Sequence, residues 1–123
     1  MSKVLIVDDD ETMVELLSSK LRNEGFDIFV ATNGHEGLEE IPKIKPDLII
    51  TDLMMPEMDG LDFILQVRKN DEEVPILGIS GFPGKREVAI NLGASDFLEK
   101  PTNPKVLMQK IRDLLAGNAP TPS

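Results

Sequence analysis

Leu48-Ile49-Ile50-Thr51-Asp52-Leu53-Met54-Met55-Pro56-Glu57-Met58-Asp59-Gly60 is the stretch that decides the fold. Its leading residues are apolar without the spacing of a helix, so they read as a buried strand. The run ends at a lone carboxylate, Asp52, before a loop that holds a proline and a glycine. Open α/β sheets bind ligands just beyond the carboxyl ends of their strands. Asp52 is therefore the candidate reactive residue.

Outward from this stretch the same alternation recurs. Upstream, Val4–Val7 predicts a buried strand, and a helix capped by Asp10 or its neighbour runs to Asn23, with Met13, Leu16, Leu17 and Leu21 at helical spacing. Gly25 closes that helix in a left-handed conformation. Asp27–Ala31 predicts a less apolar edge strand. Gly34–Ile41 predicts a short helix, stopped or kinked near Ile41 because the ring of Pro42 clashes with the carbonyl four residues earlier. The quoted stretch supplies the third strand, Asp47–Thr51. Downstream, Leu61, Ile64 and Leu65 mark a third helix, Pro75–Ile79 a fourth strand ending at Ser80, and Lys85–Leu92 a short helix closed by Gly93. Asp96–Glu99 predicts a fifth strand ending at Lys100-Pro101. Asn103 or Thr102 then caps a last helix with Val106, Leu107, Ile111, Leu114 and Leu115 as its apolar stripe. Five strand–helix units about 20–25 residues apart predict a parallel sheet with helices on both faces.

One domain is expected from 123 residues. Residues 1–117 form it, and 118–123 form a disordered polar tail. Five Phe and no Tyr or Trp leave an aliphatic core, and the absence of cysteine excludes disulfides and thiolate metal sites. The net charge of −9 argues against direct nucleic-acid binding, since no surplus of cations exists to neutralise phosphates. The charge is uneven: residues 84–117 hold six basic groups against four acidic ones, +2, so the remainder carries −11. The last third is thus a distinct surface suited to a partner. No apolar stretch reaches the ~20 residues of a membrane span. A cytoplasmic protein with no membrane contact, monomeric or weakly dimeric, is expected.

In a parallel sheet all strand carboxyl ends share one edge. Four of the five strands here end in a reactive polar residue: Asp8-Asp9, Asp52, Ser80 and Lys100. Three converging carboxylates repel one another and raise each other's pKa unless a cation intervenes. Oxygen-only ligands in a partly open site suit Mg²⁺. Together with Met55-Pro56, Asp59-Gly60, Ser80-Gly81 and Lys100-Pro101, this set resembles the receiver domain of response regulators, over residues 3–116.

That resemblance implies a flavodoxin-like (βα)5 three-layer sandwich with strand order 2-1-3-4-5. It implies a phosphorylation-activated switch of a two-component or phosphorelay system, stand-alone in type, with a sensor histidine kinase or phosphotransfer protein as donor and a downstream protein as target. Asp9, Asp52 and the Met54 carbonyl would ligate Mg²⁺ directly and Asp8 through water. Asp52 would accept the phosphoryl group, and Lys100, on a cis bond to Pro101, and Ser80 would neutralise and hydrogen-bond its oxygens. Ser80 and the aromatic Phe97 would carry the change to the surface of the fourth helix, fifth strand and fifth helix. Such a protein catalyses only its own phosphotransfer and dephosphorylation.

Plainer readings stand beside these. The aspartates around Asp8 could be a solvated helix cap, Ser80 a turn former and Phe97 core packing, while His35, in a short helix, sits at the surface. A rival enzyme reading takes Asp8, Asp10 and Thr12 as the D-x-D-x-T motif of haloacid dehalogenase-type phosphatases, with Asp8 as nucleophile. It lacks an acidic pair after Lys100 and leaves Asp52 without a role. A degenerate receiver used only for docking is the remaining alternative.

Overall fold

The aliphatic runs form a five-stranded parallel sheet in a computed structural model that describes residues 2–55 and 58–117. The strands are β1 (Lys3–Val7), β2 (Asp27–Ala31), β3 (Leu48–Asp52), β4 (Ile76–Ser80) and β5 (Asp96–Glu99). The helices between and after them are α1 (Glu11–Asn23), α2 (Gly34–Ile44), α3 (Gly60–Asn70), α4 (Arg86–Leu92) and α5 (Pro104–Leu115). The order across the sheet is β2-β1-β3-β4-β5, the flavodoxin-like arrangement, with β2 at an edge. The proposed tail, 118–123, and the Pro56-Glu57 part of the loop lie outside the described residues.

The two-residue period of the strands divides the interior into two cores. Val4, Ile6, Leu48, Ile50, Leu77, Ile79 and Leu98 face Leu17 and Leu21 of α1 and Leu107, Ile111 and Leu114 of α5. Leu5, Val7, Ile49, Ile76 and Phe97 face the other way, against Phe63, Ile64 and Val67 of α3 and Ala89 of α4. Each fully buried Leu or Ile contributes roughly 1.5–3 kcal/mol relative to an exposed one. The sheet is therefore fixed from both faces, and its carboxyl edge becomes a rigid platform.

Helix starts follow from short polar side chains placed just after that edge. Asp10 accepts from the N–H groups of Thr12 and Met13, Asn33 from Glu36, Asp59 from Asp62, and Asn103 from Lys105 and Val106. Each satisfies a donor that a helix start leaves free. The exception is α4, whose N-cap, Lys85, makes no side-chain cap bond.

Two expectations need correction. Helix α2 does not stop near Ile41; it continues through Pro42 to Ile44. The proline removes one hydrogen bond close to the helix end, and Lys45, in a left-handed conformation with φ 55°, closes the last turn by donating to the Ile41 carbonyl at 2.8 Å. The apolar stripes are also narrower than read. Leu16 is 68% exposed and Val106 faces solvent. Their helices pack instead through Leu17 with Leu21, and through Leu107, Met108 and Ile111.

Candidate functional site

Strands β1 and β3 are adjacent and in register, so their ends bring Asp8 and Asp52 together. One carboxylate oxygen from each of Asp8, Asp9 and Asp52 lies within 4.8 Å of the others. Asp8 and Asp52 are buried, while Asp9 is exposed and leaves the cluster open on one side. This all-oxygen, partly open set has the chemistry of a site for a hard divalent cation.

Backbone donors fix the orientation of two of these carboxylates. Asp8 Oδ1 accepts from the Asp10 N–H at 2.9 Å, and Asp52 Oδ1 accepts from the Met54 N–H at 3.1 Å. The opposite oxygens face a cation. Lys100 Nζ lies 3.4 Å from Asp52 Oδ2 and 3.9 Å from Asp8 Oδ2. Lys100 reaches them from the end of β5, where its peptide bond to Pro101 is cis and its N–H donates to the Ser80 carbonyl at 2.7 Å.

Burial pushes the Asp8 carboxyl up from 3.8 to about 6, helped by the charges of Asp52 and Asp9 and opposed by the Asp10 N–H and Lys100. Mutual repulsion is thus a lesser cause than desolvation, which reverses the emphasis drawn from the sequence.

The remaining candidates surround this cluster. Ser80 is fully buried at the end of β4, one residue beyond Ile79, the register partner of Asp52. Its Oγ accepts from the Phe82 N–H at 3.0 Å. Phe97 is 2% exposed and pairs in register with Gly78, where an added Cβ would crowd Leu53 at 3.3 Å and meet the Phe97 ring at an ordinary 3.6 Å. Among the methionines, Met55 is buried, Met58 is half-buried and the Met54 side chain is exposed. Asp10 is occupied as the cap of α1, and His35 is exposed.

Gly60 has a geometric reason to be glycine. A Cβ there would come within 2.1 Å of the Asp52 carbonyl oxygen, and its N–H donates to the Leu53 carbonyl. Sequence reading missed a second polar centre. Asp96, 1% exposed, pairs with Lys110, 3% exposed, at 2.8 Å, and with Arg86 at 3.3 Å. The signal was present: Lys110 lies three residues after Leu107 and four before Leu114, on the apolar stripe itself.

A flavodoxin-like domain with an acidic, lysine-flanked edge defines the class, and comparison with known proteins supplies the family. The chain belongs to the response regulator receiver domain family, whose model matches residues 4–112. It is 37% identical to the DNA-binding response regulator MtrA of Mycolicibacterium smegmatis over 98% of this chain and 54% of that protein. It is 34% identical to the alkaline phosphatase synthesis transcriptional regulatory protein PhoP of Bacillus subtilis, over 92% of this chain and 48% of that one. The receiver domain of the Francisella response regulator 1452 superposes with a TM-score of 0.90 at 28% identity, covering 95% of this chain and 98% of that one.

The chain is thus a receiver domain of the two-component type, whose relatives are signalling regulators, not turnover enzymes. The phosphatase and docking-only alternatives are not favoured. The chain spans about half the length of the curated relatives it matches. The expectation of no direct nucleic-acid binding is overturned, because MtrA is a DNA-binding response regulator. The charge argument failed because it weighed only the residues of this chain, which spans about half of MtrA. Among the described residues, no helix is long and apolar enough to cross a membrane.

Proposed function

We propose that Asp52 accepts the phosphoryl group and that the domain, residues 1–117, works by this chemistry. The observation that carries the reading is the convergence of Asp8, Asp9 and Asp52 with Lys100 Nζ only 3.4 Å from the Asp52 carboxylate. An Asp52 oxygen attacks phosphorus, the new bond to the carboxylate forms, and the donor's bond to phosphorus breaks with its electron pair leaving on the donor. Lys100 then turns from Asp52 to a phosphoryl oxygen, and the Ser80 hydroxyl, free to donate its hydrogen, binds another. Such preorganised donors are worth ~2.7–4 kcal/mol each in a transition state of this kind.

A divalent ion, Mg²⁺ by the hardness of the donor set, would neutralise the carboxylates and the incoming oxygens. Asp9, Asp52 and the Met54 carbonyl would hold it directly and Asp8 through water. The phosphodonor is a sensor histidine kinase or phosphotransfer protein. Phosphorylation changes the α4–β5–α5 surface through Ser80 and Phe97, and the output regulated is of the DNA-binding class carried in the name of MtrA.

The test is intact mass after incubation with a small acyl phosphate and Mg²⁺. Wild type is expected to gain one phosphate and Asp52→Asn none. A gain that survives Asp52→Asn, or an unchanged wild-type mass, would refute the assignment.

A further inference from the structure

Helix α4 is held very differently at its two ends. At its C-terminal end, Gly93 closes the helix with φ 124°, and the Gly93 carbonyl accepts from Arg68 Nε of α3 at 2.8 Å. Arg68 also donates to the Ser95 hydroxyl at 3.4 Å and the Asp71 carbonyl at 3.1 Å, so this end is tied to α3 and to the start of β5. The N-terminal end has no side-chain cap, covers only seven residues in all, and follows Gly81-Phe82-Pro83-Gly84 directly after Ser80. Beyond the packing of Ala89 in the core, the side-chain hydrogen bonds that tie this end to β5 among the described residues come from Arg86. Arg86 donates to the Phe97 carbonyl at 3.2 Å and to Asp96 Oδ1 at 3.3 Å.

We propose that Arg86 is a releasable latch, a positioning residue that keeps the N-terminal end of α4 on β5 until Asp52 is phosphorylated. The asymmetry around Asp96 carries this. The Asp96 carboxylate keeps Lys110 at 2.8 Å and the Phe97 N–H at 2.8 Å when Arg86 leaves, so no buried charge is stranded. The Arg86 side chain is already 38% exposed and regains water on leaving. Lys110, at 3% exposure, has no such exit and holds α5 to β5 in both states. The latch also grips the backbone of Phe97, so release frees the switch residue and α4 in one event. Arg86 lines a pocket between α4 and β5 with Glu87 and Glu99 on its walls, which gives the freed guanidinium nearby carboxylates to face.

The inference rests on the reading of Asp52 as the phosphoacceptor, and its test separates the two. Amide hydrogen exchange is measured on wild type and Arg86→Gln, each with and without beryllofluoride and Mg²⁺, alongside the affinity for beryllofluoride. In Arg86→Gln without the mimic, exchange over residues 81–92 is expected to rise about tenfold, while α5 and the sheet stay protected as in wild type. Because coupling is reciprocal, losing the latch should tighten beryllofluoride binding about fivefold, a change that a merely structural brace would not produce. Unchanged α4 exchange, loss of protection that spreads through α5, or unchanged beryllofluoride affinity overturns the latch. Failure of beryllofluoride to bind wild type refutes the phosphoacceptor reading instead, and the exchange comparison without the mimic still decides whether Arg86 holds α4.

Discussion

Asp8 sets the response of the acidic edge to pH. Its carboxyl is raised from 3.8 to about 6, chiefly by burial, so between these two values the folded chain without a divalent ion holds a proton there that the unfolded chain has released. The contribution of this group to stability is therefore complete at acid pH and is lost as pH rises through about 6. Asp8→Asn mimics the neutral form. Thermal midpoints of metal-free wild type and Asp8→Asn should converge near pH 4 and separate in favour of the variant above about pH 6. Parallel profiles would sink the assignment. Mg²⁺ must displace the same proton, so its apparent affinity should fall as pH drops below about 6. Gly60 is the second residue whose identity is fixed by geometry. Gly60→Ala drives a Cβ to 2.1 Å from the Asp52 carbonyl oxygen, a backbone contact that no rotamer relieves. Destabilisation of about 3 kcal/mol, the upper range for overpacking, is expected in urea unfolding. Phosphoryl uptake should fall with it, because the displaced peptide carries Asp52.

Among the elements, α1 offers the cleanest separation of structure from chemistry. Asp10 sits beside Asp8 and Asp9 in sequence, yet its carboxylate is spent on the Thr12 and Met13 N–H groups. Asp10→Ala should cost about 1 kcal/mol, the usual value of an N-cap, and leave the one-phosphate gain in intact mass unchanged. Abolished uptake with normal stability would restore the phosphatase motif reading. The sheet and the caps of α1 and α5 were legible in the sequence because both are local: unbroken apolar runs in β1 and β3, and Asp10 and Asn103 one step before their helices. The site was legible for a related reason, since parallel strands deliver Asp8, Asp52, Ser80 and Lys100 to one edge whatever the loops do. Features that depend on what packs against a helix were not. Leu16 and Val106 fall at apolar spacing but outside the narrow contact with the sheet, and Pro42 is tolerated because only a few residues of α2 follow it. Lys110 stood out on its apolar stripe, but its pairing was hidden because the partner, Asp96, is 14 residues away on a strand.

For the whole molecule, that pair governs how the two cores are joined. Asp96 begins β5; Phe97 beside it points into the α3–α4 core, Leu98 into the α1–α5 core, and the carboxylate binds one cation from each side of this division. A buried pair of this kind adds little relative to an apolar replacement of both partners, but removal of one partner leaves a charge without its counterion. Lys110→Met should therefore destabilise the domain by about 3 kcal/mol, the lower end of the 3–5 range for broken buried pairs, because Arg86 still faces Asp96. Asp96→Asn added to Lys110→Met should recover part of that loss, since no carboxylate then remains to be paired. The comparison is a double-mutant cycle in urea, with the slope against denaturant held constant across the four proteins. If the double variant is as unstable as the sum of the singles, the pair is not coupled and the apolar packing of Leu107, Met108, Ile111 and Leu114 is what holds α5 to the sheet. Recovery in the double variant, with Arg86→Gln far milder than Lys110→Met, would instead make α5 the permanent member of the face and α4 the movable one.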